Sequence, residues 1–252
     1  MGVHPAPTLL RAPLVSGRRA VVGTYLHSAI RTEGLGHRFG RHRVFRDLSF
    51  EVRWGTATAL VGPNGVGKTT LMRILGGSLT PSQGKVWVDN TPLLGDGDAA
   101  RKACALLCGS AFVYDDLTGS ENLRFALEMV GTRSSPECVR GALARVGLRP
   151  DLAAPVRSYS TGMRKRLAIA RLWVVRSRIL LLDEPYASLD DEGRGVVDGL
   201  IHEHVDSGGA VLLASHDTAR AQNICDDLVE LTRRPPGPAV TSLGRSVPRS
   251  RQ

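Results

Sequence analysis

Hydrophobic and polar positions follow two periods along this chain, and the changes of period mark its elements. Residues 48–52 and 56–61 read as strands. Residues 69–75 predict a helix that follows directly on a glycine-rich turn. Another short strand is predicted at 85–88, after the turn Pro81-Ser82-Gln83-Gly84. From 97 to 160 the character changes. Residues 121–130 and 136–146 carry apolar positions at the spacing of amphipathic helices, and 162–173 reads as a third helix. Ile179-Leu180-Leu181-Leu182 is a continuous apolar run that ends at Asp183, the pattern of a parallel strand covered on both faces. Residues 191–205 then read as a helix, 210–214 as a second buried strand and 217–225 as a last helix. Short strands alternating with helices predict an α/β fold with a mostly parallel central sheet. A helical insertion is expected at about 97–160. No internal repeat or sustained heptad is visible.

Composition narrows the picture. The chain has 252 residues, 42% hydrophobic and 23% charged, which excludes a disordered, collagen-like or disulfide-scaffold protein. The longest stretch free of Asp, Glu, Lys and Arg is 14 residues, Trp54 to Gly67, short of the roughly 20 apolar residues that a membrane helix needs. The net charge of +9 is concentrated at the ends: residues 1–32 hold four arginines and 233–252 five, with no acid in either segment. Residues 33–232 balance 24 basic against 24 acidic side chains. A nucleic-acid-binding domain should carry excess positive charge on its folded part; here the excess sits in the ends, and no specific nucleic acid partner is expected. Arg18 and Arg19 interrupt the one apolar stretch near the start, so it does not read as a secretory signal. Residues 1–29 are expected to lie outside the fold, as a disordered or misassigned extension. The run Arg233-Arg234-Pro235-Pro236-Gly237-Pro238 is expected to end regular structure, because proline removes donors and fixes φ. A folded domain at 30–232 and a basic Pro/Arg-rich tail at 233–252 follow. Cys104, Cys108, Cys138 and Cys225 lack metal-ligand spacing and read as free thiols.

The chemistry concentrates in a few segments. Gly62-Pro63-Asn64-Gly65-Val66-Gly67-Lys68-Thr69-Thr70 fits G-x-x-x-x-G-K-[ST] and lies between a strand and a helix. Its glycines let main-chain N–H groups curl around phosphate oxygens, and the following helix directs its positive end at the same anion. Lys68 adds a formal charge at the β- and γ-phosphates, and the Thr69 hydroxyl is a hard oxygen ligand suited to Mg²⁺. Asp183, closing the buried strand, falls at the ligand edge of the sheet and can hold Mg²⁺. Glu184, one residue on, points differently and can accept a proton from attacking water. Tyr159-Ser160-Thr161-Gly162-Met163 precedes a helix, where Ser160 or Thr161 can serve as the cap. His216 follows the last buried strand.

In this order and spacing the segments closely resemble the nucleotide-binding subunit of ATP-binding cassette (ABC) transporters, over roughly 30–232. The resemblance implies a P-loop ATPase with an antiparallel β part near its start and a helical subdomain. It implies ATP and Mg²⁺ as ligands and hydrolysis of ATP to ADP and phosphate. Phe39 matches the aromatic on which adenine stacks. Ser160 and Gly162 match the signature that contacts the γ-phosphate held by another subunit, and His216 matches the switch histidine. Ala187-Ser188-Leu189-Asp190 looks like the loop that crosses the dimer interface. The implied assembly is a homodimer or heterodimer of cassettes docked on a separate transmembrane permease, at the cytoplasmic face of the membrane.

Two departures stand out. The family usually has a glutamine after the strand near 104–108. Here that position is about Gly109, no glutamine occurs between Gln83 and Gln222, and Gly109 or Ser110 cannot supply the same ligand. Tyr159 and Met163 stand where Leu and Gln are commoner. Phe45-Arg46-Asp47-Leu48-Ser49-Phe50 and Leu117-Thr118-Gly119-Ser120-Glu121-Asn122-Leu123 look like export-type cassettes. Among these, the heme-export type of cytochrome c maturation is similar in size and in Leu182-Asp183-Glu184-Pro185-Tyr186, and multidrug or polysaccharide exporters are nearly as close. A non-transport ABC ATPase, or a nucleotide-gated regulatory subunit with weak hydrolysis, is the alternative.

Overall fold

A computed structural model describes residues 28–94, 98–109, 113–133, 135–234 and 237–245. Two sheets carry the chain. Strands β1 (Ser28–Phe39), β2 (His42–Arg53), β4 (Gln83–Val88) and β5 (Thr91–Pro92) form an antiparallel sheet in the order β2-β1-β4-β5. The second sheet holds β3 (Ala57–Val61), β6 (Cys104–Cys108), β7 (Ile179–Asp183), β8 (Ala210–Ala214), β9 (Asp227–Arg234) and β10 (Gly237–Arg245), in the order β10-β9-β3-β8-β7-β6. Every pairing from β9 to β6 is parallel, and only β10 runs antiparallel.

Alternation along the central strands divides the core in two. Ile179 and Leu181 of β7, with Leu212 of β8 and Leu60 of β3, face one cluster. That cluster also takes Ile30, Phe45 and Leu48 from the antiparallel sheet, and Leu71 and Leu75 from helix α1 (Lys68–Leu75). Leu180, Leu182, Val211 and Leu213 face the other cluster. It is filled by α3 (Gly119–Met129), α4 (Pro136–Arg145), α5 (Thr161–Val175) and α6 (Asp191–Asp206). Side chains of period two therefore bury both faces of the sheet, which is why β7 and β8 read as unbroken apolar runs. Each buried leucine contributes about 1.5–3 kcal/mol.

Polar side chains set the helix starts. Thr118 and Glu121 form a reciprocal capping box on α3, and Ser135 caps α4 with Pro136 in the first turn. Ser160 rather than Thr161 caps α5, accepting from the Met163 N–H at 3.2 Å. Asp190 caps α6, and Asp217 caps α7 (Thr218–Ile224).

Three expectations about extent need correction. Ser28 and Ala29 belong to β1 and are buried, because Ser28 pairs with Arg53 at the end of the ladder; residues 1–27 lie outside those described. Regular structure does not stop at the proline run: β9 continues to Arg234, and β10 pairs with it from Gly237. Pro238 is tolerated because β10 is an edge strand that needs donors on one side only. Finally, the segment expected to open the helical insertion first supplies α2 (Asp98–Ala103) and then β6. β6 pairs with β7 and completes the main sheet, so the inserted helices begin only at α3.

Candidate nucleotide site

The phosphate loop joins β3 to α1. Gly62 (φ 152°) and Gly67 (φ 111°) hold backbone angles that L side chains rarely adopt. A Cβ on Gly62 would collide with the Leu231 carbonyl, and one on Gly67 would meet Val44 at 2.7 Å. Close passage of β9 and β2 thus demands glycine at both positions. Val66 anchors the loop by burying its side chain in the core, while Pro63, Asn64 and Gly65 stay exposed. Gly67 caps α1 without a side chain, which leaves first-turn N–H groups without a side-chain partner, the arrangement that binds anions. Lys68 is buried, and its ammonium donates to the carbonyls of Gly62 (2.6 Å) and Pro63 (3.4 Å). Thr69 is exposed and Thr70 half-buried at the same helix start.

The acidic pair closes β7. Asp183 is 5% exposed; its Oδ2 accepts from the Cys108 thiol at 3.5 Å, and its Oδ1 has no hydrogen-bond partner among the described residues. Glu184 follows in a left-handed conformation, φ 47°. Its N–H donates to Ala214 O at 2.9 Å and its Oε2 accepts from His216 Nδ1 at 2.7 Å. Since a carboxylate accepts, the ring proton lies on Nδ1. His216 lines a cleft of about 560 Å³ with Gly62, Pro63 and Asn64, so the histidine and the phosphate loop share one wall. The Tyr186 hydroxyl donates to Asp198 at 2.8 Å, and Arg220 binds the other oxygen of that carboxylate at 2.6 Å. This brace joins the loop after Glu184 to α6 and α7. Burial, then Asp198, push the Tyr186 phenol well above its usual range.

Ser160 and Gly162 are placed elsewhere. Neither forms a hydrogen bond with Lys68, Asp183, Glu184 or His216. Gly162 lies against the carbonyl of Ser188, in the 187–190 loop. Tyr159 turns inward and is buried with the inserted helices. Phe39 is 53% exposed and meets His37 edge-on, with centroids 4.6 Å apart. Gly109 follows β6 with φ 61°; Ser110 lies outside the described residues.

Sequence reasoning missed Cys108 and Lys165. Burial, then Asp183, push the Cys108 thiol up, so it meets that carboxylate as a neutral donor. Lys165 donates to the Glu184 carbonyl at 3.0 Å. Neither belongs to a motif; only the β6–β7 ladder and the packing of α5 bring them here. Cys104, on the same strand, is driven by burial up to about 12 and is an inert thiol.

A glycine-cradled helix start beside a strand-ending acid pair defines a phosphate-loop nucleotide hydrolase of α/β type. The model of the ABC transporter family matches residues 45–187, and the chain belongs to that family. It binds ATP and couples ATP hydrolysis to transport. The chain is 37% identical to the cytochrome c biogenesis ATP-binding export protein CcmA of Cupriavidus pinatubonensis, over 81% of this chain and 90% of the relative. It is 42% identical to the protein of that name from Xanthomonas campestris pv. campestris, over 69% of this chain and 79% of the relative. A solved ATP-binding subunit of an ABC transporter superposes with a TM-score of 0.77 at 25% identity, covering 86% of this chain and 90% of the other. Among the described residues no helix is long and apolar enough to cross a membrane.

Proposed function

We propose that this chain energises an exporter of the cytochrome c biogenesis type, with heme or another small molecule as cargo. The observation that carries the reading is the similarity to the CcmA proteins over most of both chains. In this reading the cassette binds peripherally to a separate transmembrane permease, at the cytoplasmic face.

The residue roles follow from chemistry. Adenine stacks on exposed Phe39. The N–H groups of 62–70 and the Lys68 ammonium hold the phosphates, Lys68 exchanging its bonds to the loop carbonyls for bonds to phosphate oxygens. Asp183 and Thr69 are the ligands assigned to Mg²⁺, whose charge offsets that of the β- and γ-phosphates. Asp183 suits this role because its buried Oδ1 is an oxygen donor with no other partner among the described residues. Among the described residues no three His, Cys, Asp or Glu gather as a metal cluster. Such a sparse set fits an ion held largely by phosphates and water. Glu184 takes the proton from the attacking water, and His216 orients that carboxylate. Ser160 and Gly162 lack a partner in their own chain's site, so in this reading they close on the ATP of a second cassette, set head to tail. ATP then stabilises the closed pair, and hydrolysis releases it.

The test is purification of the chain with a polytopic membrane protein from detergent-solubilised membranes, followed by ATPase assay. Stoichiometric co-purification and stimulated turnover are expected; no turnover with the permease bound would defeat the reading. Gly109, which offers no side chain where the family has glutamine, favours the second reading, a nucleotide-gated subunit with weak hydrolysis. Under that reading Glu184→Gln leaves an already negligible turnover unchanged.

A further inference from the structure

Lys165 lies in the second turn of α5, five residues beyond the cap Ser160. It is 5% exposed. Its ammonium donates to the main-chain carbonyl of Glu184 at 3.0 Å, and among the described residues it forms no ion pair. Burying an ammonium against a neutral carbonyl is costly. Burial pushes the Lys165 pKa down, and the nearby carboxylates of Asp183 and Glu184 oppose that shift.

The carbonyl it holds belongs to the strained residue of the site. Glu184 has φ 47°, a conformation a non-glycine residue keeps only when its surroundings impose it. Three bonds impose it. Glu184 N–H donates to Ala214 O on β8, Ala187 N–H donates back to the Glu184 carbonyl at 3.3 Å, and Lys165 grips that carbonyl from α5. The first two come from the sheet and the local turn. Of these three, only the Lys165 bond ties the turn to α5, the helix capped by Ser160.

We propose that Lys165 is a positioning residue for the hydrolytic carboxylate: it fixes the left-handed Glu184 turn so that Oε2 meets His216, and it transmits displacement of the signature helix to Glu184 of the same chain. The proposal rests on the reading of Glu184 as the general base. In a paired assembly, seating Ser160 on one ATP would thereby adjust the carboxylate at the other.

Four variants of the full chain test it, by phosphate release, binding of a fluorescent ATP analogue and thermal melting. Lys165→Met should fold at least as well as wild type, since an apolar side chain replaces a buried charge. It should lower kcat by about 10-fold or more and change ATP-analogue Kd by less than about 2-fold. Lys165→Arg, which keeps a donor within reach, should recover kcat to within about 3-fold of wild type. Lys165→Gln is one bond shorter and should lose kcat as Met does; it carries the test if the Met variant does not fold. Adding Lys165→Met to Glu184→Gln should cause no further loss, because both act through one carboxylate. Wild-type kcat in the Met or Gln variant, a loss confined to Kd, or additive losses in the double variant would overturn the proposal while leaving an impaired Glu184→Gln as support for the base reading. Wild-type turnover in Glu184→Gln overturns both.

Discussion

His216 Nδ1 lies 2.7 Å from Glu184 Oε2, although 32 residues separate them in the chain. They meet because β7 and β8 are adjacent parallel strands, and each residue follows the C-terminal end of its own strand. Parallel pairing puts both turns at one edge of the sheet, where the phosphate loop also lies. Glu184→Gln is therefore expected to lower kcat by about 10²–10⁴ while ATP still binds. Phosphate release and ATP-analogue fluorescence check the two halves of that statement separately.

Lys68→Ala removes the one formal charge of the phosphate loop. ATP affinity should fall by about 10-fold or more, the worth of a charge-assisted phosphate contact. Melting temperature should move little, because among the described residues the lysine bonds only loop carbonyls. Equilibrium binding of an ATP analogue decides it; unchanged affinity would remove the loop from the site.

Head-to-tail pairing makes a complementation prediction. Lys68→Ala and Ser160→Arg chains should each be inactive alone. Mixed before assembly, they should recover roughly a quarter of wild-type turnover, since half the pairs are mixed and each mixed pair keeps one intact site. No recovery would mean that Ser160 does not act in a partner's site.

Gly62→Ala should destabilise the domain rather than merely weaken nucleotide binding. At φ 152° a new Cβ is driven into the Leu231 carbonyl of β9. Strain of this kind costs about 1–3 kcal/mol, or a fall of roughly 2–12 °C in Tm for a domain of this size. Calorimetry without nucleotide measures it.

His204 provides a pH signature. Burial lowers its pKa below the usual 6.5, against the pull of hydrogen bonds to Arg178 and Ala210. The unfolded chain therefore binds the proton more readily than the folded one. Stability from the neutral ring is complete above about 6.5 and is lost as pH falls through the lower folded value. Melting between pH 8 and 5 should show a decline that His204→Gln makes shallower; an equal slope in both proteins would exclude His204 as its source.

The replaced glutamine shows how far local reading reaches. That Gly109 offers no ligand is plain from the residue itself. That the preceding Cys108 contacts Asp183 depends on β6 lying against β7, a pairing between residues 75 apart. The proline run misled for a related reason. Proline at 238 forbids an internal strand but not an edge strand, and whether a strand lies at an edge is a property of the assembled sheet.

From the sequence by itself came the phosphate loop, the acid pair closing a buried strand, the signature cap and the strand–helix alternation. Each is written within about ten consecutive residues, where backbone sterics, capping and side-chain period act directly. The tertiary structure decided the rest: the His216–Glu184 bond, the Lys165 grip on the left-handed Glu184 turn, the Cys108 thiol on Asp183 and the β9–β10 edge. Those contacts arise from burying both faces of one sheet, and burial joins residues according to how layers stack, not how near they stand along the chain.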